Sequence, residues 1–282
     1  MRPPLLLLVA ALAVAGCDSE TPPFAEALVV ESFLATGEAS PDVVVRRTLP
    51  PGAPAQDDRV TGALVVLDGH GRLDTLRAVP GAPGRYRSAS SDTVVAGGRY
   101  ALRVMARGRT AEAVTAAPPR LRLVRATALA AAAPERGVDL DLASLGLGST
   151  VANGYFYPVD VTVEWTPSAD TSFVVRANLR PSAGGGTLFF PADAVAAEPR
   201  AGELQGRRRV WRRRYLVQVD GPAAPLPPHR VRVALVRGGQ DYRRFAETRR
   251  TPSQQSPVGN VSGGLGIVAG ISVDSLTLDV GR

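Results

Sequence analysis

The chain contains no lysine: all 33 of its strongly basic side chains are arginine. Against 26 acidic residues they leave a net charge of +7 and a pI near 10.4. Cysteine is almost as scarce. The single one, Cys17, excludes an intramolecular disulfide, so folding rests on apolar burial alone. There are two histidines, His70 and His229, with no HExxH motif, no cysteine cluster and no close acid–histidine spacing, so a zinc site has no support. Past residue 16 no apolar run is long enough to span a bilayer; the longest, Ala126 to Ala133, falls far short. The arginine excess is spread along the chain, as expected when Arg replaces surface Lys in an Ala-, Gly- and Pro-rich, GC-biased composition. The competing reading is attraction to an anionic partner such as lipid phosphate or acidic polysaccharide.

What is present begins at the first residues. Met1 and Arg2 form a positive head, Leu5 to Ala15 an apolar run, and Val14-Ala15-Gly16 bring small residues up to Cys17. This is the layout of a secretory signal peptide, too short for a mature transmembrane helix. Small residues directly before Cys resemble the lipobox of bacterial lipoproteins. The resemblance implies cleavage before Cys17 and acylation of that residue. Each buried methylene contributes about 0.8 kcal/mol, so two or three chains on one cysteine hold the protein permanently. Asp18-Ser19-Glu20-Thr21-Pro22-Pro23 reads as a polar tether. Acid after the lipid resembles surface-export signals in some bacteria and inner-membrane retention in others. Residues 1–16 are thus a signal peptide and 17–24 a lipidated tether, and nucleic acid is not an expected partner.

The mature chain suits two domains. Ala27 to Leu34, Val43 to Leu49, Val60 to Leu67, Leu73 to Leu76, Tyr100 to Met105 and Arg109 to Ala116 read as short strands separated by Gly and Pro turns. This spacing predicts an immunoglobulin-like antiparallel sandwich over 25–118, closed by Pro118-Pro119. Residues 119–282 read as a second, mostly β domain. In it Ala126 to Ala133 could form a short helix, Val159 to Trp165 alternates cleanly, and Val210 to Val219 with His229 to Val236 looks like a hairpin around a proline-rich loop. Asp241 to Glu247 is a short helix or an irregular crossing. Leu265 to Val280 supplies closing strands integral to the second domain. Ile271 and Val273 share one face, and Leu276, Leu278 and Val280 share another, so the phase changes at Asp274-Ser275 and predicts a bulge or bend there. The fold class is all-β: two antiparallel sandwiches with little helix.

The order of short motifs along the chain resembles a bacterial lipoprotein family of unknown function, domain of unknown function 4249. The motifs are Leu28-Val29-Val30-Glu31, Thr61 to Asp68, Gly98 to Val104, Thr115 to Pro118, Val163 to Pro167, and Asp241-Tyr242 followed by Gly259-Asn260-Val261-Ser262-Gly263-Gly264-Leu265-Gly266-Ile267. Val268 and Ala269 stand where such proteins often carry an aromatic residue. The resemblance implies an envelope location, with the outer membrane expected, and companionship with TonB-dependent outer-membrane receptors; no enzymatic activity is established for such proteins, and neither an enzyme nor a cofactor is expected here. The alternative function is a surface glycan- or peptide-binding module.

Few residues offer chemistry. Gly264-Leu265-Gly266-Ile267-Val268-Ala269 imitates a dinucleotide fingerprint, but β-prone residues follow and no acid lies at the required distance, so these glycines read as packing sites. Ser262 lacks the glycine two residues earlier that a nucleophile elbow requires. Asp139 and Asp141 lack a calcium-loop continuation. The dense cluster is Arg207 to Tyr215. Arg208, Arg212, Arg213 and Arg214 with Trp211 could grip phosphate or an acidic sugar. The competing reading is an exposed edge strand defended by charge. Tyr155-Phe156-Tyr157 with Trp165 could form a sugar-stacking platform, or fill a core.

Overall fold

The computed structural model describes residues 24–39, 41–54, 58–69, 71–140, 153–167, 174–190, 203–205, 208–248 and 259–281. Within them the chain is all-β. The first unit runs through β1 (Leu28–Ala35), β2 (Val43–Arg47), β3 (Leu64–Gly69), β4 (Arg72–Ala78), β5 (Arg85–Arg87), β6 (Arg99–Ala106) and β7 (Arg109–Ala116). The second comprises β8 (Leu123–Ala130), β9 (Glu135–Arg136), β10 (Tyr155–Trp165), β11 (Val174–Gly184), β12 (Thr187–Phe189), β13 (Glu203–Gln205), β14 (Arg208–Val219) and β15 (His229–Gly238). Helix α1 (Gln240–Thr248) and β16 (Leu265–Val280) end it.

Ten strands form one hydrogen-bonded path, β11-β15-β16-β1-β2-β5-β4-β3-β6-β7. Its β1-to-β7 portion folds over on itself around a core to which β1 contributes Leu28, Val30 and Leu34, β3 Val65 and Leu67, and β6 Leu102 and Val104. Strict period-2 alternation makes this work: β1 buries every second residue. Tyr86 is the largest buried side chain there, and its hydroxyl is satisfied twice, donating to the Val60 carbonyl and accepting from the Ala63 N–H, each at 2.9 Å. A second sheet, β12-β14-β10-β8 with β13 and β9 attached, covers β11-β15-β16. Val159, Val161, Val163 and Trp165 of β10 meet Val231, Val233 and Leu235 of β15 in that core.

Three expectations change. Ala126 to Ala130 is strand, not helix: it pairs along β10, and Ala126, Ala128 and Ala130 pack on the second core. Sheet pairing and burial outweigh alanine's helix preference. β14 and β15 are not a hairpin. β14 pairs with β10, whereas β15 pairs with β11 and β16, so the loop Asp220 to Pro228 carries the chain from one sheet to the other. Its prolines fix φ and withhold donors, which disfavours a tight hairpin turn.

The third concerns β16, which is one continuous strand. Its first half pairs parallel with β1, from Val29 with Leu265 to Ala35 with Ile271; its second pairs antiparallel with β15, from Gly238 with Ile271 to His229 with Val280, with no register shift. The change of phase in the sequence is therefore not a bend. Even-numbered residues share a single face throughout. Val268 enters the first core, and Leu278 and Val280 meet the second. Between them stand Ser272 and Asp274, which accept the backbone N–H groups of Leu121 and Leu123, both at 2.8 Å. The polar interval serves the connecting segment where it crosses the strand, while Val273 points outward, 44% exposed.

Candidate functional site

The signature Asp241…Gly259-Asn260…Gly266 is built into this shared strand. The Asn260 side chain behaves like a short strand: Oδ1 accepts the Val268 N–H and Nδ2 donates to the Val268 carbonyl, both at 2.9 Å. Nδ2 also approaches Asp241 Oδ2, in the first turn of α1, at 3.4 Å. Ser262 exchanges backbone bonds with Glu112 of β7 at 2.7 and 2.9 Å. A Cβ at Gly266, whose φ is +111°, would strike the Val30 carbonyl, and one at Gly270 would strike the Ala116 carbonyl. These glycines permit backbone-to-backbone approach, in keeping with the packing role read from the sequence. α1 then lies over the outer face of the β1–β16 seam, where Phe245, Ile267, Ala269, Phe33 and Tyr242 form a small core.

Arg237 of β15 ties the connecting segment to the second unit. Only 3% exposed, it donates to the carbonyls of Pro119 and Arg120 through Nη1 and of Thr166 through Nη2, at 3.2–3.3 Å. Desolvation pulls its pKa down from the usual arginine value.

The arginine cluster divides between two faces. Arg208, Arg212 and Arg214 are exposed on the outer face of the second sheet. There Arg214 makes a bidentate pair with Asp160 at 2.8 and 2.9 Å, and Arg208 reaches Glu164 at 3.3 Å. The Asp160 hydrogen bonds raise the Arg214 pKa. Trp211 and Arg213 face the other way; Trp211 is 2% exposed, with the Arg213 guanidinium 5.7 Å from its ring centroid. β14 is not an edge strand, as the charge run suggested. It pairs with β10 from Arg209 to Val219, and on its other side with β12 and β13. Among the described residues, Trp211 to Tyr215 and the terminal Val219 lack a second neighbour, and the inward-facing Arg213 lies in the longer interval.

The aromatic run is packed rather than displayed. Phe156 is fully buried and meets Phe189 edge-on, Trp165 and Tyr157 enter the second core, and the Tyr157 hydroxyl donates to Ala224. His229 is also buried. Its Nδ1 must donate to the Pro227 carbonyl at 2.7 Å, which leaves Nε2 to accept from the Tyr215 hydroxyl at 2.6 Å. Burial pushes the Tyr215 pKa up, so the tyrosine stays neutral and donating. Cys17, His70 and Asp141 lie outside the described residues; Asp139 sits in a single 3-10 turn, Gly137–Asp139. No group of three metal-ligating side chains occurs among the described residues.

One concave site had no signature in the sequence. It opens at the end of the first unit, with a volume of about 280 Å³, and is lined by Leu67, Arg72, Asp74, Asp92, Thr93 and Tyr100 among others. Arg72 pairs with Asp92 at 2.7 Å, and the Ser88 hydroxyl donates to Asp74 Oδ2. The Tyr100 ring lies against Gly69, where any side chain would collide with it, and its hydroxyl accepts the Val95 N–H at 2.8 Å. These residues come from three segments, so no local motif announces them.

No curated protein matches the chain. A family model described as domain of unknown function (DUF4249) matches residues 17–277, beginning at the cysteine and ending inside β16. Spanning both cores and the strand that joins them, that match covers nearly the whole chain, and the protein belongs to this family.

Proposed function

We propose that the protein is a non-enzymatic lipoprotein of the cell envelope, anchored through acylated Cys17 to the outer membrane and acting as an accessory to a TonB-dependent type of transport or assembly complex. The observation that carries this reading is the junction at Cys17. A positive head, an apolar run and small residues precede it, and the family match begins on it. The tether Asp18 to Pro23 gives the β-rich body a short polar spacer from the lipid. The described body supports a scaffold role: Asn260 of its most specific family motif holds the Val268 backbone, and Ser272 and Arg237 hold the backbone of the segment that connects the units.

Two measurements test it. Cys17→Ala is expected to abolish lipidation and move the protein from the membrane to the soluble fraction. Retention after a high-salt wash would mean that the lipid is not the anchor. Tagged lipidated protein, purified from detergent-solubilised envelope, is expected to bring down an outer-membrane TonB-dependent receptor. Recovery of the lipoprotein alone, at a yield where known envelope complexes stay intact, would remove the accessory role.

A further inference from the structure

We propose that the pocket at the end of the first unit binds a single neutral or amino-bearing hexose unit of a glycan. Its volume, about 280 Å³, lies just below the range of sites for drug-sized ligands and suits one sugar ring. Its lining is mixed. Leu67, Val95 and the ring of Tyr100 supply apolar surface, which the C–H face of a pyranose matches. Arg72, Asp74, Asp92 and Thr93 supply donors and acceptors together.

The charges narrow the ligand. Arg72 and Asp92 neutralise each other at 2.7 Å, and their pairing still leaves guanidinium donors and carboxylate lone pairs to share with vicinal hydroxyls. Asp74 is the remaining charge, and Ser88 engages it through Oδ2, so Oδ1 keeps its acceptor capacity. An apolar ligand would desolvate these groups without pairing them, which is unfavourable. An anionic ligand would meet Asp74 and Asp92. A hydroxyl-bearing ring donates to the carboxylates and accepts from Arg72 and Thr93. An amino substituent would place a positive charge beside Asp74. The site is also held in place: the Tyr100 hydroxyl is fixed by the Val95 N–H, the ring seats on the bare backbone of Gly69, and Asp74 is braced by Ser88.

The site is independent of Cys17 and of any receptor, so its failure would leave the accessory reading standing. The test is a saturation-transfer NMR titration of the full mature chain with free glucose, galactose, mannose, N-acetylglucosamine, glucosamine and glucuronate. At least one of the neutral or amino sugars is expected to bind in the millimolar range, and glucuronate at least tenfold more weakly. Asp74→Asn and, separately, Arg72→Gln are expected to weaken the preferred sugar about tenfold, the loss of one charged hydrogen bond. Arg72 is 71% exposed, so that variant keeps the fold even if Asp74→Asn does not. No saturation transfer to any of the sugars, glucuronate binding as tightly as the best hexose, or unchanged affinity in the folded Arg72→Gln variant would each overturn the proposal.

Discussion

The two halves of β16 do opposite jobs with the same backbone. The first half buries Val268 and Ile267 but depends as much on what it lacks. Gly266 and Gly270 have no Cβ, and this lets the strand pass within contact distance of the Val30 and Ala116 carbonyls. The second half works by what it carries. Leu278 and Val280 meet the second core from the same face. A strand can serve two cores only if its ends obey different rules: close backbone approach where neighbouring strands crowd it, side-chain volume where a second sheet covers it.

The comparison is broken most completely by removing the strand. Deleting residues 259–282 is expected to unfold both units, because Val268 belongs to the first core and Val280 to the second. The deletion also removes Asn260 and the acceptors for Leu121 and Leu123. Loss of protease resistance across the whole chain, with no remaining cooperative melt, checks this. A first unit that still melts cooperatively would show that the first half of β16 is dispensable.

Substitutions within the strand sharpen the contrast. Gly266→Val combines a backbone collision with a φ that β-branched residues avoid, and is expected to cost about 3 kcal/mol or more. Leu278→Ala, at a half-buried position, is expected to cost about 2 kcal/mol, near the low end for leucine truncation. Denaturant titrations of the two proteins check the order; the reverse order would mean that the close approach at Gly266 relaxes easily. Ser272→Ala sits between the halves and strands the Leu121 N–H, at about 1–3 kcal/mol.

The smallest effect expected is electrostatic and confined to the first unit. The Arg87 hydrogen bonds to Asp42, at 2.5 and 2.9 Å, hold that carboxyl below its usual pKa, and the charges of Arg87 and Arg85 add to the shift. A carboxylate with a depressed folded pKa contributes stability that is present above its unfolded pKa, about 3.9, and is lost as pH falls through the folded value. Asp42→Asn is therefore expected to lower stability modestly at pH 7, by about 0.2–1 kcal/mol, with the difference closing as pH falls below about 4, so that the acid limb of the profile flattens. Because Arg87 is 58% exposed, added salt should shrink the difference.

The sequence by itself determined the strand-rich class, the family and most strand positions, because period-2 alternation and Gly or Pro turns are local. β1 and β6 bury every second residue over most of their length, as their sequences imply. The glycine signature was legible as a packing device for the same reason: glycine's lack of a side chain is a property of the residue. The tertiary structure decided everything that depends on which strand lies beside which. The change of phase at Asp274-Ser275 read as a bulge or bend; only the crossing of residues 121–123 makes Ser272 and Asp274 acceptors on an uninterrupted face. Arg214 and Asp160, 54 residues apart, become partners only through the register of β14 on β10. The pocket of Arg72, Asp74, Asp92 and Tyr100 exists only once β4, β6 and the segment before β6 converge. Local chemistry sets the strands; long-range pairing, which no single segment encodes, sets the sites.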